Sequence, residues 1–374
     1  MIELSQVHFQ YRQSGFRLRI ESMKADSRRA VALIGPSGCG KTTLMSLIAG
    51  ILPSQAGRIV INHAEINRLT DKQRRLFRIQ NIGFVFQDFA LLEYLNLYEN
   101  ILHPYRINSA LTLCEQLSIL GFNRVIIVTD NFLAGSGILD GIKATLTNTG
   151  VEYVIFDGVL PDPAFDQVQE GEALLRTEAC QAVVAVGGGS VLDAAKMMSM
   201  LHTNPGPLEK FDGIQKCKKP GLPLFAIPTT AGTGSEITLA AVITDPVSHR
   251  KIPVVDSKMV PGYVAVDAEI MKGMPPGITA ATGMDALTHA VESYLSKAST
   301  ESTEIHARAA IRLIFKHLVE AYHDGGNMVA RDAMAVASFY AGAAFGKTSV
   351  GYVHGIAHQL GRVCGTPHGN ANAM

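Results

Sequence analysis

The arrangement of apolar residues divides the chain into segments of different structural type. From Ser109 onward, short runs of consecutive apolar residues alternate with segments whose apolar residues recur at helical spacing. Fully apolar runs predict parallel strands buried on both faces, and the amphipathic segments between them predict crossover helices. The predicted strands are RVIIVTD, VEYVIFDG, QAVVAVGGG and LPLFAIP. Beyond about Met271 the alternation ends, and three long amphipathic segments predict an all-helical domain.

Residues 1–108 show a different pattern, in which short strands are separated by turns. This pattern predicts a mixed α/β segment with several antiparallel strands, and with helices that begin at Lys41 and near Asp71. The predicted strands are IELSQVHFQY, FRLRIES, RAVALIG, GRIVIN and IGFVFQ. The segment carries 14 basic and 8 acidic residues, whereas the remainder carries 19 basic and 25 acidic residues. We therefore expect three domains, at 1–108, 109–270 and 271–374.

Composition limits the partners and the cellular location. The 374 residues include 33 Lys+Arg and 33 Asp+Glu, so net charge gives no reason to expect nucleic acid or an anionic membrane as a partner. The five cysteines form no CxxC pair, which favours a reduced, cytoplasmic protein. The sequence contains neither a signal-peptide pattern nor an apolar segment long enough for a membrane span, so we expect a soluble chain.

A phosphate-binding motif lies in the first segment. Residues 35–42 fit the pattern GxxxxGK[ST] between the apolar run AVALI and the helical run TTLMSLIAGIL. Glycines there let backbone N–H groups surround phosphate oxygens, Lys41 supplies a positive charge, and the Thr42 hydroxyl is suited to ligating magnesium. The motif predicts a site for ATP and Mg²⁺. Its candidate residues are Gly35, Ser37, Gly38, Gly40, Lys41, Thr42 and Thr43.

Around this motif, residues 1–108 resemble the N-terminal part of an ATP-binding-cassette (ABC) transporter ATPase. The resemblance implies that Tyr11 stacks on adenine and that Gln87 contacts the magnesium and the attacking water. It ends before that family's helical subdomain, LSGGQ signature, Asp-Glu strand and switch histidine. Without the acidic strand, the segment is expected to bind a nucleotide but to hydrolyse it poorly. The alternative function implied is a transporter ATPase subunit, whose partner would be a membrane subunit.

Two loops rich in glycine and hydroxyl groups follow predicted buried strands. In the first, Gly187, Gly188 and Gly189 precede a helix for which Ser190 is a plausible N-cap and Asp193 follows three residues later. Backbone N–H groups in such a turn can approach a pyrophosphate, although glycine is also required there for conformational reasons alone. The second loop follows LPLFAIP and suits the phosphate and ribose of a cofactor. Its candidate residues are Thr229, Thr230, Gly232 and Thr233.

Histidine and aspartate recur at helical spacing near the end of the chain. Asp285 and His289 are four residues apart, His354 and His358 repeat that spacing, and His368 follows in a loop. Residues four apart on a helix share one face. A carboxylate with three imidazoles suits Fe(II), Zn(II) or a similar divalent ion. A lone helical histidine is more often a packing residue, but two such pairs in one apolar region favour a metal site.

Together, these segments resemble the iron-containing (group III) alcohol dehydrogenase family. The stretches VTDNFLAGSG, DGVLPDP, GGGSVLDAAK, PTTAGTGSE, GMDALTHAVE and HGIAH through TPHGNA occur in the family's order over residues 109–374. The resemblance implies a dehydroquinate-synthase-like fold, with an NAD(P)-binding α/β domain before a helical metal-binding domain. It also implies that His358 relays a proton near the nicotinamide and that Asp130 favours NAD by receiving its ribose hydroxyls. The metal ligands that it implies are Asp285, His289, His354 and His368.

The chain departs from the family pattern in two ways. Asp162 stands where the family commonly has asparagine, and its negative charge is expected to weaken NAD binding. In addition, the cassette segment replaces the family's first strand and turn, and members of the family continue through further helices after the residues equivalent to Asn372-Ala-Met374. We therefore expect a truncated, incomplete metal-binding domain.

The function expected is hydride transfer between a small primary alcohol, or its aldehyde, and NAD(P). The expected metal is Fe(II), with Zn(II) as the alternative, and ATP with Mg²⁺ is the further ligand expected at the phosphate-binding motif. Two other functions stay open: an ABC transporter ATPase subunit, and an inactive product of a gene fusion. Self-association of the chain also stays open.

Overall fold

The computed structural model of this chain describes residues 1–11, 16–26, 39–62, 64–70, 73–74, 77, 109–248, 250–364 and 366–374. The chain divides into two units, Met1–Leu91 and Leu92–Met374. Several predicted features lie outside the described residues, so the P-loop fold of the first segment stays a prediction. They are the strands RAVALIG and IGFVFQ, the helix start at Asp71, and the site residues Gly35, Ser37, Gly38 and Gln87.

The first unit contains an antiparallel sheet. Its strands are β1 (Ile2–Gln10), β2 (Arg17–Ala25), β3 (Ala56–Ile61) and β4 (Ala64–Glu65), in the spatial order β2-β1-β3-β4. The helix α1 (Lys41–Ile48) begins at the predicted residue. The antiparallel pairing predicted for this segment is therefore confirmed within the described residues. The apolar core between the sheet and α1 includes Leu4, Val7, Leu47 and Ile59.

The second unit begins with a parallel sheet of five strands. They are β5 (Arg124–Val128), β6 (Glu152–Phe156), β7 (Ala182–Gly187), β9 (Leu224–Pro228) and β12 (Tyr263–Val264). Their spatial order is β12-β9-β7-β5-β6, and every pair is parallel. All residues of β7 and β9 are buried, because helices cover both faces of the sheet. The prediction of a buried parallel sheet is confirmed.

Side-chain alternation along the strands assigns the helices to two faces. Helices α2 (Ser109–Ile119) and α4 (Asp140–Asn148) cover the face formed by Val125, Ile127 and their neighbours, and α5 (Phe165–Thr177) and α6 (Gly189–Thr203) cover the other face. The short helix α3 (Asn131–Gly135) follows β5. A further small sheet, which the sequence pattern did not predict, has the order β10-β11-β8. Its strands are β8 (Gly213–Ile214), β10 (Ala240–Thr244) and β11 (Lys251–Val255).

The rest of the second unit is helical, as predicted. Alanine is frequent where its long helices pack, for example at Ala286, Ala290, Ala307 and Ala337, and these small side chains let the helices approach closely. In chain order the helices are α7 (Ala268–Met271), α8 (Pro276–Leu295), α9 (Glu301–His323), α10 (Met328–Thr348), α11 (Tyr352–Cys364) and α12 (His368–Asn372). Among the described residues, no helix has both the length and the apolar composition needed to cross a membrane.

Candidate metal centre and cofactor cleft

A large cavity lies at the carboxyl ends of the parallel strands. Its volume is about 980 Å³. Because parallel strands end at one edge of a sheet, the loops after β5, β7 and β9 meet there, which is where open α/β sheets commonly bind ligands. The opposite wall consists of residues 269–278, which include the first turn of α8. The predicted cofactor residues that line the cavity are Asp130, Gly188, Gly189, Ser190, Thr229 and Thr230.

The two predicted cofactor loops touch one another at Gly189. A Cβ atom at this position would lie 2.8 Å from Cγ2 of Thr233, so only glycine allows this approach. Gly188 similarly lies against Thr230, and the backbone N–H of Thr229 donates to the carbonyl of Gly187 at 3.0 Å. The glycines after β7 therefore bring the loop after β9 against the amino end of α6. This helix begins at Gly189 with Gly188 in the N-cap position, so the expectation of Ser190 as the N-cap is wrong.

Asp130 lies at the rim of the cavity, where β5 ends. Its Oδ1 accepts a 2.8 Å hydrogen bond from the backbone N–H of Leu133, which makes Asp130 the N-cap of α3. The same carboxylate lines the cavity. Asp130 thus has two roles in the structure, as the cap of α3 and as a carboxylate on the cavity wall.

Four of the predicted cofactor residues do not line the described cavity: Gly187, Asp193, Gly232 and Thr233. Asp193 is buried among protein groups, since its Oδ1 accepts from Ser235 Oγ at 2.6 Å and its Oδ2 from the N–H of Val242 at 2.9 Å. Burial raises the pKa of this carboxyl group. Asp193 therefore supports the fold below the cavity, and contact of these four residues with a cofactor stays a prediction.

A buried lysine joins α6 to the loop after β9. Nζ of Lys196 donates to Ser235 Oγ at 2.9 Å, to Thr238 Oγ1 at 3.2 Å and to the carbonyl of Ala240 at 2.8 Å. Burial lowers the pKa of Lys196 to about 8, and burial raises the pKa of Glu236 to about 7. This network fixes the position of the loop that supplies Thr229 and Thr230.

The predicted metal ligands meet in the helical part of the same unit. Asp285 and His289 lie one turn apart on α8, His354 lies on α11, and His368 begins α12. The Nε2 atoms of the three imidazoles lie 3.9, 3.4 and 3.4 Å from Oδ1 of Asp285, in that order. Gly369 contributes to this arrangement, because a side chain there would collide with the backbone of Ala281 and displace α12 from α8.

The ligand atoms of Asp285, His289 and His354 all lie within 4.8 Å of one another, which fits a common divalent cation, and Nε2 of His368 adjoins this group at Oδ1 of Asp285. Ligand atoms about 2.1 Å from a tetrahedral ion lie roughly 3.4 Å from each other, and two of the three measured separations equal that value. The donor set of one carboxylate oxygen and three imidazole nitrogens suits Fe(II) or Zn(II). Asp285, His289 and His354 are buried, whereas the side chain of His368 is 40% exposed, so the centre is open on one side.

Electrostatics favour a charged carboxylate among the imidazoles. Burial raises the pKa of Asp285, but His289, His354 and His368 together outweigh it, so this pKa lies below its usual value. Burial lowers the pKa of His289 to about 4, so this ring is neutral at neutral pH. His289 stacks on Phe345 with ring centroids 4.0 Å apart, which fixes the orientation of the ring.

His358 lies beside the cluster, one helical turn after His354. Its ring centroid is 5.0 Å from that of His368, the most exposed member of the cluster. Burial and the nearby His368 lower the pKa of His358 to about 4. A neutral imidazole at this place is able to accept or donate a proton at the open side of the metal centre.

Three residues that contact sequence-predicted residues were not themselves identified from the sequence. Two of them contact the proposed metal ligands, and the third contacts Asp162. Nδ2 of Asn372 donates to Oδ1 of Asp285 at 2.7 Å, and Glu292 lies 2.7 Å from Nδ1 of His354. Glu292 follows His289 by three residues, so its helical spacing from Asp285 and His289 was the available signal. Lys251 has no comparable signal in the sequence, because it lies on a strand of the small sheet that was not predicted.

Lys251 changes the expectation for Asp162. Its Nζ lies 2.6 Å from Oδ1 of Asp162, and the hydroxyl of Thr244 donates to the carbonyl of Asp162 at 3.3 Å. The negative charge of Asp162 is therefore paired with a positive charge from β11. The expected effect of Asp162 on NAD binding stays a prediction.

Part of the phosphate-binding motif is described in the first unit. Gly40 has φ of 96° and precedes α1, whose first residues are Lys41 and Thr42. The hydroxyl of Tyr11 lies 3.3 Å from Oγ1 of Thr43, so these two predicted ATP-binding residues are neighbours. The Tyr11 ring also packs edge-on against Phe9, with centroids 4.8 Å apart.

Comparisons with known proteins match both parts of the chain. Residues 105–268 match the family model described as iron-containing alcohol dehydrogenase, and residues 279–374 match the C-terminal model of the Fe-containing alcohol dehydrogenase family. Residues 18–140 match the ABC transporter model. The chain therefore combines matches to two unrelated families, as its sequence motifs predict.

Individual relatives agree with the larger of these matches. The chain is 44% identical over 260 residues to alcohol dehydrogenase 4 of Schizosaccharomyces pombe, covering 70% of this chain and 62% of the relative. It is 42% identical to NAD-dependent methanol dehydrogenase of Bacillus methanolicus, covering 69% and 68%. A crystal structure of 1,3-propanediol oxidoreductase has a TM-score of 0.70 and 41% identity, covering 72% of each chain. The chain thus spans less than two thirds of the length of the yeast relative.

Proposed function

This chain belongs to the iron-containing alcohol dehydrogenase family, and from this premise we propose that residues 109–374 transfer hydride between a small primary alcohol, or its aldehyde, and NAD(P). The name of the Bacillus methanolicus relative, NAD-dependent methanol dehydrogenase, supports both the substrate class and the cofactor. The domain division that we propose is a cassette segment at 1–108, an NAD-binding α/β domain at 109–270 and a helical metal-binding domain at 271–374.

The observation that carries the proposal is the convergence of three imidazole Nε2 atoms on Oδ1 of Asp285, on the helix that also lines the cavity. Pro275 and Ile278 line the cavity, and Asp285 follows Ile278 by seven residues, or about 10 Å along a helix. Helix α8 therefore connects the proposed cofactor cleft to the proposed metal centre. A site for hydride transfer requires these two features to be neighbours.

We assign the metal to Asp285, His289, His354 and His368, and the cofactor to the cavity at the ends of β5, β7 and β9. When bound, a divalent cation supplies Lewis acidity for the substrate oxygen, and NAD supplies the hydride acceptor. Fe(II) is the metal proposed, with Zn(II) as the alternative. Asp130 would accept hydrogen bonds from the hydroxyl groups of the adenosine ribose. The N–H groups at the start of α6 would bind the pyrophosphate.

The residues of the chain orient the reactants and move the proton. The loops that contain Gly189 and Thr230 hold the cofactor against the first turn of α8, and the apolar wall of the cavity excludes water. His358 is neutral and lies at the open side of the centre, so it is placed to carry the alcohol proton away from the reacting oxygen. His289 and His354 keep fixed orientations because their rings stack, with centroids 4.4 Å apart.

The proposal is tested by measuring metal content and NADH formation with a primary alcohol on the purified full chain. The expected result is one bound divalent cation and NADH formation, with both lost in His368→Ala. A chain that unfolds cooperatively but binds no cation and forms no NADH would disprove the proposal. A broad, uncooperative melt would instead support the alternative of an inactive fusion product.

A second activity is proposed for the first unit, because residues 18–140 match the ABC transporter model. We propose that Lys41, Thr43 and Tyr11, with the rest of the phosphate-binding motif, bind ATP and Mg²⁺. The contact between Tyr11 and Thr43 supports this assignment. Binding of a fluorescent ATP analogue that Lys41→Ala abolishes is the expected result, and equal binding by this variant would contradict it. Magnesium-dependent phosphate release would favour the transporter ATPase alternative.

The cellular location that we propose is the cytoplasm. All five cysteines, including the exposed Cys39 and Cys364, are free. Free exposed thiols are typical of proteins in a reducing compartment.

A further inference from the structure

Glu292 connects helix α8 to the start of helix α11. Its side chain is 8% exposed, so its contacts are with protein groups. Oε1 accepts from the N–H of Val353 at 2.7 Å, and Oε2 accepts from the N–H of Gly351 at 2.8 Å. Gly351 directly precedes α11 and Val353 is its second residue, so neither N–H group has a partner within the helix. Glu292 therefore caps the helix that carries His354 and His358.

The same carboxylate contacts the ring of His354. Oε2 lies 2.7 Å from Nδ1 of His354. Both oxygens of Glu292 accept hydrogen bonds from backbone N–H groups, those of Val353 and Gly351, and such bonds favour the ionised carboxylate. A carboxylate only accepts hydrogen bonds, so Nδ1 of His354 must carry the proton.

The position of that proton determines what Nε2 of His354 can do. In a neutral imidazole, protonation of Nδ1 leaves the lone pair on Nε2. Nε2 faces the centre of the cluster, 3.4 Å from Oδ1 of Asp285. A metal-binding histidine commonly donates its other N–H to a carboxylate, which fixes the tautomer and the ring orientation.

We propose that Glu292 is a positioning residue of the metal centre, which selects the His354 tautomer with a free Nε2 and fixes that ring by capping α11. The proposal rests on the proposed function, since it requires a cation at Asp285, His289, His354 and His368. Glu292 does not contact the cation in this role. Its contribution is to prepare His354 before the cation binds, so its loss lowers affinity for the cation.

The first test is a Co²⁺ titration of the full chain, followed by absorption spectroscopy. Glu292→Leu retains side-chain bulk but removes every acceptor, and the dissociation constant for Co²⁺ is expected to rise about 10- to 100-fold. Glu292→Gln keeps one carbonyl acceptor for Nδ1 of His354 and is expected to restore most of the affinity. NADH binding, measured by fluorescence, is expected to stay the same in both variants, because the cofactor cavity does not include Glu292.

The matched control removes a similar pair outside the metal centre. On α9, Oε2 of Glu320 lies 3.0 Å from Nδ1 of His317. Glu320→Leu deletes the acceptor of this pair, and its Co²⁺ affinity is expected to equal that of the wild type. Glu292→Leu with wild-type affinity would overturn the inference and leave the metal centre standing. A wild-type chain that binds no Co²⁺ would overturn the metal centre itself.

A second measurement does not depend on any variant folding correctly. Nitrogen-15 NMR of the metal-free wild type, labelled at histidine, distinguishes protonation at Nδ1 from protonation at Nε2. At a pH high enough for the ring to be neutral, the expected result for His354 is a proton on Nδ1 and a lone pair on Nε2, and the reverse tautomer, with the proton on Nε2 alone, would overturn the inference. If Glu292 had a purely structural role, Glu292→Leu would lower thermal stability and NADH affinity together. Such a role would not require this tautomer of His354.

Discussion

The side-chain amide of Asn372 donates a buried 2.7 Å hydrogen bond to Oδ1 of Asp285, the atom on which the three imidazoles converge. The same Nδ2 lies 3.3 Å from Nε2 of both His354 and His368. The amide therefore occupies the position between the atoms that we assign to the cation. Since a donor group and a cation cannot both occupy that position, Asn372 must rotate when the cation binds.

This arrangement predicts that Asn372→Ala binds the cation more tightly than the wild type. A hydrogen bond to a charged group contributes roughly 1.5 kcal/mol, so affinity for Co²⁺ is expected to rise about tenfold. Isothermal titration of the metal-free full chain measures the change. Weaker binding by Asn372→Ala would contradict this prediction and show that the rotated amide contributes its Oδ1 as a ligand. Exposed Asn370 gives a control, Asn370→Ala, for which no change is expected.

The contact between Gly189 and Thr233 predicts an effect on cofactor binding. In Gly189→Ala the new Cβ would lie 2.8 Å from Cγ2 of Thr233, so the two loops must separate. Overpacking of this kind costs about 1 to 3 kcal/mol, and the dissociation constant for NADH is expected to rise about tenfold or more. Gly262→Ala is the control, because nothing lies within 4 Å of its Cβ position. Equal NADH affinity in the two variants would contradict the assignment of these loops.

One substitution separates the helix-capping role of Asp130 from its expected role in binding the cofactor. Serine also caps helices, so Asp130→Ser keeps the hydrogen bond to the N–H of Leu133 and removes the negative charge from the cavity. If the carboxylate receives ribose hydroxyls, affinity for NAD is expected to fall about tenfold, and discrimination against NADP is expected to decrease. Fluorescence titration with NADH and NADPH measures both. Asp166→Ser, at the exposed start of α5, is expected to change neither affinity.

Because the carboxyl group of Glu236 is buried, we expect the stability of the chain to depend on pH. Burial raises the pKa of this group to about 7 in the folded chain, from an ordinary value of 4.5, so between these values the folded state binds the proton more strongly than the unfolded state. The contribution of Glu236 to the free energy of unfolding is therefore fully present below its pKa in the unfolded state. It is lost as the pH rises through its pKa in the folded state. Glu236→Gln removes this loss.

The measurement for Glu236 is urea unfolding at about pH 5 and about pH 8. Wild type and Glu236→Gln are expected to be similarly stable at the lower pH, and the variant is expected to be more stable by about 2 to 3 kcal/mol at the higher pH. Glu170→Gln, an exposed glutamate on α5, is expected to show no such difference. An identical pH profile for Glu236→Gln and wild type would show that Glu236 is ionised at neutral pH despite its burial.

Local sequence patterns were sufficient to predict the strands, the helices and the kinds of chemistry. Consecutive apolar residues in QAVVAVG identified a strand buried on both faces, because only such a strand excludes water from every side chain. The spacing of Asp285 and His289 placed both on one face of a helix, since helical periodicity is local. Glycines after β7 identified a tight turn for the same reason. These features depend only on residues that are neighbours along the chain.

Contacts between residues far apart in the sequence became visible only in the folded chain. Asn372 contacts Asp285 across 87 positions of sequence and Glu292 contacts His354 across 62, and no local pattern encodes either distance. Asp193 matched a cofactor motif, yet both of its oxygens bond to groups of the protein. Lys251 reaches Asp162 from a strand that the sequence pattern did not reveal. Long-range contacts follow from the packing of whole helices and sheets, so local periodicity carries no record of them.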